Sequence, residues 1–209
     1  MKNLRKLLTI CMVIAMLGAV LVLASCSLFS SDVENFVNEL AEADSYTMEY
    51  DDTIMKVDFD NLMTCTIYLD DDGKEEGAEY CWYDEDADKY YCAEVEGDDI
   101  YKEEISKADF ISEMSSASAT SATAIVKILD LLDENDGTYS YTRESGTGDY
   151  KVKRVVSYYV NDDDQLCMEY KTVVGGETEK EVSKIYDIDD TVIEIPEDVL
   201  KADAEELED

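Results

Sequence analysis

AEYCWYDEDADKYYCAEV, residues 78–95, is the stretch that decides the fold. Strand-forming aromatic and apolar residues stand on both sides of the acidic turn at residues 84–88. Counting inward from that turn sets Tyr83 opposite Tyr90, Trp82 opposite Tyr91 and Cys81 opposite Cys92. The stretch therefore predicts a β-hairpin of defined register. Alternation then puts Tyr80, Trp82 and Tyr91 on one face, together with Ala93 and Val95.

The same period of two extends outward from the hairpin. Tyr46, Met48 and Tyr50 alternate with polar residues, Met55, Val57 and Phe59 do so after the Asp51-Asp52 turn, and residues 62–69 and 100–102 follow at meander spacing. Ahead of them, Ser31-Asp32-Val33-Glu34 is a capping box, and Val33, Phe36, Val37 and Leu40 predict one amphipathic helix. After the hairpin the pattern changes for about thirty residues. Residues 106–114 and 120–133 predict two helices, the first carrying Phe110, Ile111 and Met114 and the second Ile125, Ile128, Leu129 and Leu132. Residues 115–124 between them are almost all serine, alanine and threonine, either a linker or a hinge that lets a helix approach a sheet. Strands resume at residues 139–142, 150–160, 165–174, 181–188 and 192–195, and Pro196 ends the last. A long meander with two apolar helices inserted between its halves has one obvious place for them, the hollow of a curved sheet.

The start of the chain says where the protein works. Lys2, Arg5 and Lys6 precede an uncharged apolar run at residues 7–24, and Leu23-Ala24-Ser25-Cys26 closes it. That ending resembles the lipobox of bacterial lipoproteins; an uncleaved transmembrane anchor is the other reading of so long a run. The resemblance implies cleavage before Cys26, a diacylglyceryl thioether on its sulfur, and anchoring at the outer face of the cell membrane, since two or three acyl chains hold a protein stably. The expected organisation is a signal peptide at 1–25, a lipidated tether at 26–30, one domain at 31–200 and an acidic tail at 201–209. Nothing in the length calls for a second domain.

Charge and composition exclude several classes. Loss of Lys2, Arg5 and Lys6 leaves 14 basic residues against 52 acidic ones, a formal charge of −38. Nucleic acid is thereby excluded as a partner, and anionic headgroups are repelled, so the lipid anchor alone would provide the membrane contact. The chain has no histidine, which removes Ser-His-Asp and Cys-His catalysis and imidazole metal sites. Carboxylate pairs such as Asp84 and Asp86 fall in solvated turns. Asp70-Asp71-Asp72-Gly73 and Asn161-Asp162-Asp163-Asp164 lack the spacing of a calcium loop. No enzymatic activity, cofactor or metal is expected. Beyond Cys11 and Cys26, the four cysteines Cys65, Cys81, Cys92 and Cys167 allow three pairings or none. The hairpin register makes Cys81 and Cys92 the pair that a disulfide would join; buried free thiols are the other reading.

One helix, about six strands, two helices and four or five more strands, over residues 31–200, is an element order similar to the LolA/LolB superfamily of lipoprotein carriers and to the LppX- and LprG-type lipid-binding lipoproteins of Gram-positive bacteria. Ile193-Glu194-Ile195-Pro196-Glu197-Asp198-Val199 looks like the terminal strand and proline of that group, and residues 38–47 look like its first helix leading into strand one. The resemblance implies an α+β fold: a curved antiparallel half-barrel of about 10–11 strands, with an N-terminal helix and two middle helices covering the concave face. It also implies an apolar cavity for a lipid or acyl chain. Tyr80, Trp82 and Tyr91 would form one wall, and Ile125, Ile128, Leu129 and Leu132 the opposite one. The expected function is non-catalytic binding of that hydrophobic ligand. The alternative is a lipoprotein with a filled core whose acidic face binds a cationic protein or envelope component.

Overall fold

The computed structural model describes residues 31–118, 122–147 and 151–205. The hairpin has the register its sequence predicts: β4 (Glu75–Asp84) and β5 (Lys89–Glu96) pair Tyr83 with Tyr90, Trp82 with Tyr91 and Cys81 with Cys92. Its acidic turn is built by its own side chains. The Asp84 carboxylate accepts from the Asp86 and Ala87 amides at 2.9 and 3.0 Å, while Asp88 takes the left-handed conformation and accepts from the Tyr83 hydroxyl at 2.7 Å.

Around this hairpin lie β1 (Ser45–Tyr50), β2 (Thr53–Asp58), β3 (Met63–Leu69) and β6 (Asp99–Ile105), which complete the first meander. The helices α2 (Lys107–Ser118) and α3 (Ala122–Leu129) follow. A second meander contains β7 (Asp133–Asn135), β8 (Thr138–Ser145), β9 (Val152–Val160), β10 (Leu166–Val174) and β11 (Glu177–Tyr186). It closes on the first because β11 pairs antiparallel with β1, through Met48 opposite Ile185. A short helix α4 (Glu197–Lys201) leads to β12 (Ala204–Glu205), which lies parallel to β6. The result is one open, mixed, twelve-stranded sheet, ordered β12-β6-β5-β4-β3-β2-β1-β11-β10-β9-β8-β7, in an α+β fold. Gly175-Gly176 forms the two-residue turn between β10 and β11, where φ of 60° and 92° suits glycine.

The N-terminal helix α1 (Asp32–Glu42) is capped as its sequence predicts: the Ser31 hydroxyl accepts from the Glu34 amide and Glu34 accepts from the Ser31 amide. The Tyr139 hydroxyl donates to Glu34 at 2.9 Å, tying the cap to β8. Val33, Val37 and Leu40 share one core with Phe110 and Met114 of α2, Ile125 and Leu129 of α3, and Tyr46, Met48, Val57, Cys81, Tyr158, Leu166 and Ile185 of the sheet. A second core lies on the other face. Cys65, Ala78, Tyr80, Trp82 and Ala93 are covered there by Ile193 and Val199 from the chain after β11.

Four expectations need correction. Residues 192–195 are extended but form no strand, because this segment lies across the face of the sheet and makes side-chain rather than ladder contacts. The helix expected to reach 133 ends at Leu129, and Asp133 already pairs with Ser140 in β7. Among the described residues the sheet has twelve strands rather than ten or eleven, and β12 makes it mixed. The tail expected from 201 starts with a helix end and β12, because the unpaired edge of β6 accepts another strand. The signal peptide, Cys26 and the tether, together with residues 119–121 of the small-residue stretch and 206–209 of the tail, lie outside the described residues.

Candidate functional site

Tyr80, Trp82 and Tyr91 do share a face, as alternation requires. It is not the face that meets α2 and α3. With Cys81 and Cys92 turned toward the helices, period two turns Tyr80, Trp82 and Tyr91 the other way, onto the segment carrying Ile193 and Val199. Trp82 and Tyr91 pack at 5.5 Å between centroids, and the Lys102 ammonium stands 5.2 and 4.8 Å from their rings. Ile125 and Leu129 belong to the helix-side core, Leu132 packs against it, and Ile128 is exposed. The expected cavity walls are therefore not one site: the sheet itself separates them.

Cys81 and Cys92 are joined by a disulfide with their Cα atoms 4.2 Å apart, beneath α2, where Tyr90 packs on Phe110 at 4.9 Å. Glu79 brings a carboxylate within 4.8 Å of both sulfurs, but sulfurs bonded to each other do not act as thiolate ligands. Cys65 and Cys167 are buried free thiols. Burial pushes the Cys65 thiol up to about 11, so it stays protonated near neutral pH and is a poor nucleophile. It lines an open cleft of about 350 Å³ with Lys56, Ile67, Tyr80, Val192, Ile193 and Glu194.

The helix-side face also carries an arrangement that the sequence reading did not single out. The register sets Met48, Met55, Thr66, Glu79, Glu94 and Tyr101 in one row across β1 to β6, and Tyr50, Thr53 and Tyr68 in the next. Tyr50, Tyr68 and Tyr101 are 36, 41 and 60% exposed, unusually open for tyrosines on a sheet face that elsewhere builds a core. The Tyr68 hydroxyl donates to Glu79 at 3.4 Å. Glu79 is held above the usual carboxylate value by burial first and then by the nearby Glu113, Glu94 and Glu103, against the lowering effect of the Tyr68 bond. Tyr68 is raised in turn, by burial and then by Glu79. Aromatic faces beside crowded carboxylates make a surface suited to a cation. Following alternation strand by strand from Tyr50 to Tyr101 would have exposed this surface in the sequence.

A second open cleft, of about 270 Å³, is lined by Asp44, Ser45, Asp58, Asp60, Asn61, Asp189 and Thr191. No helix among the described residues is long and apolar enough to cross a membrane. The chain matches no family model, no curated protein and no solved structure.

Proposed function

We propose that this chain is a membrane-anchored, extracytoplasmic lipoprotein that acts without catalysis as a binding module, and that its ligand is a cationic protein or envelope component. The anchor rests on the lipobox at Leu23 to Cys26. The observation that carries the ligand reading is the Tyr50, Tyr68, Tyr101 surface with Glu79 and Glu94 set between its rings. A lysine or arginine side chain entering there gains cation–π contact and relieves the repulsion that now burdens Glu79. Supporting it, Tyr80, Trp82 and Tyr91 pack in or against one core, Ile125, Leu129 and Leu132 in or against the other, and Ile128 is exposed. We further propose that the sheet curves into a half-barrel with α1, α2 and α3 on its concave side, which the shared core of all three helices supports.

The acyl-chain carrier is the second reading, favoured by the exposed Ile111, Ile128 and Leu131 in and beside α2 and α3. One pair of measurements separates the two. Fluorescence anisotropy with a labelled oligolysine peptide, on the full chain in detergent, is expected to show binding that weakens at least tenfold between about 0.05 and 0.3 M salt and is lost in the Tyr68→Ala/Glu79→Gln variant. Native mass spectrometry with solvent extraction is expected to find no lipid beyond the anchor. A stoichiometric extra lipid together with salt-insensitive peptide binding would overturn the proposal in favour of the carrier.

A further inference from the structure

Outside the expected signal peptide the chain has two arginines, Arg143 and Arg154, and the register stands them directly opposite each other across β8 and β9. Both are exposed. They lie on the helix-side face, each four residues along its strand from Tyr139 or Tyr158, a register pair inside the first core. Like charges facing each other on a sheet repel. In a chain with 52 acidic residues the pair is nevertheless uncompensated: among the described residues neither guanidinium makes a hydrogen bond or an ion pair. Neighbouring Lys151 does bind Glu144 at 2.6 Å, but Glu144 is one residue on from Arg143 and so belongs to the other face. Glu179, in the row of Arg154 beyond Thr172, lies two strands away. Arg143 is also open laterally, since β7 covers β8 only as far as Ser140 and leaves the rest of β8 as the sheet edge. Exposed Tyr141 and Tyr170 stand two residues nearer the core, on either side of Val156.

The Tyr50, Tyr68, Tyr101 surface carries the opposite arrangement. Glu79 and Glu94 are likewise a register pair of two antiparallel strands on the helix-side face, with Tyr101 next in the row and the Tyr68 hydroxyl on Glu79. Directly opposed residues on antiparallel strands stand about 4.5–5.5 Å apart between Cα atoms, so the arginine pair and the glutamate pair share one spacing. Each pair is a local excess of one sign, and each supplies what the other lacks. Within one chain they do not meet. Five strands separate β4 from β9 in the sheet, and among the described residues no ion pair joins the two sets.

We propose that this chain associates with a second copy of itself, Arg143 and Arg154 of one copy seating on Glu79 and Glu94 of the other. This rests on the cationic reading of the tyrosine surface and names the cation. A guanidinium suits both parts of that surface, because its fork matches a carboxylate and its plane stacks on a tyrosine ring. One contact then relieves two repulsions. The net charge of each copy opposes the encounter, but at about 0.15 M salt it is screened beyond about 8 Å, while pairs in contact are screened much less. Anchoring through Cys26 would hold the copies in one plane and raise their effective concentration.

The test is sedimentation equilibrium of the full chain in density-matched detergent, from about 1 to 100 μM at about 0.15 M salt. Wild type is expected to associate as its concentration rises. Arg143→Gln/Arg154→Gln, at exposed positions, and Tyr68→Ala/Glu79→Gln are each expected to weaken association by about tenfold or more. An equimolar mixture of these two variants is expected to recover a dimer, since each supplies the half that the other has lost. Lys153→Gln/Lys171→Gln, an equal loss of charge on the opposite face, is expected to stay within about twofold of wild type. Where a double variant does not fold, Arg143→Gln or Glu94→Gln takes its place. Oligolysine binding separates failure here from failure of the cationic reading: it is expected to persist in Arg143→Gln/Arg154→Gln, and excess peptide to dissociate the wild-type assembly. Oligolysine binding without arginine-dependent association would overturn self-association alone, and loss of both would overturn the cationic reading with it. A mixture that stays monomeric although both variants unfold cooperatively would also overturn self-association.

Discussion

At Gly77 the backbone of β4 comes so close to β5 that a Cβ would stand 2.8 Å from the Val95 carbonyl oxygen. Backbone cannot move aside as a flexible side chain can, so Gly77→Ala is expected to cost about 1–3 kcal/mol in chemical denaturation. The disulfide is a second constraint at the same scale. It closes a loop of sequence separation 11, and replacing both Cys81 and Cys92 by serine is expected to lower stability by about 3 kcal/mol, read as a fall in the unfolding midpoint. Cys65 and Cys167 differ from that pair: their burial raises both thiols, so alkylation is expected to modify neither until the protein unfolds. The pairing of Cys81 with Cys92 was legible because both sit in one hairpin, where counting from the turn is enough. The close approach at Gly77 was not legible, since it depends on the pleat of two paired strands.

Among the elements, α1 and the segment after β11 show how differently local and distant signals read. The cap of α1 is written in four consecutive residues, and its geometry matches. Ser31→Ala removes both the cap and a bond to the Tyr139 hydroxyl, and is expected to cost about 1–2 kcal/mol by thermal unfolding. Residues 192–195 alternate like a strand, with Ile193 and Ile195 turned inward and Val192 exposed, yet they join no strand ladder. Period two records which side chains face apolar surroundings, and an extended strap lying on a sheet satisfies it as well as a ladder does. Ile193 closes the second core over Tyr80 and Trp82, so Ile193→Ala is expected to lose about 2–4 kcal/mol and to expose Trp82, seen as a red shift of its fluorescence.

For the whole molecule the dominant fact is charge, −35 over 209 residues. The ion pairs that carry it are on the surface, Lys180 with Glu169 and Lys184 with Glu49 among them, and contribute little each. Repulsion therefore weighs on the folded state, and added salt relieves it. The pH dependence has a definite sign. Glu79 and Asp44 hold their protons more tightly when folded than when unfolded, so the folded state gains as pH falls through the window above their ordinary values of 4.5 and 3.8. The unfolding midpoint is expected to rise as pH is lowered from 7 to about 5, and Glu79→Gln to raise stability at pH 7 while flattening that rise. Glu144, lowered by its bond to Lys151, acts in the opposite sense, but below 4.5 and outside this window.

The sequence by itself determined the elements whose signals are local: the capped first helix, the hairpin and its register, the meander on either side of two helices, and the cysteine pair. Each is fixed by residues within about a dozen positions of one another. Only the tertiary structure decided which side of the hairpin meets the helices, because alternation defines two faces without saying what will cover either. Two long-range events made that choice, the packing of α2 over Cys81 and the return of Ile193 and Val199 across Tyr80 and Trp82. The same return brings Asp189 to Asp44, as the pairing of β11 with β1 brings Ile185 to Met48. These are contacts between residues far apart in the chain, and no local pattern encodes them.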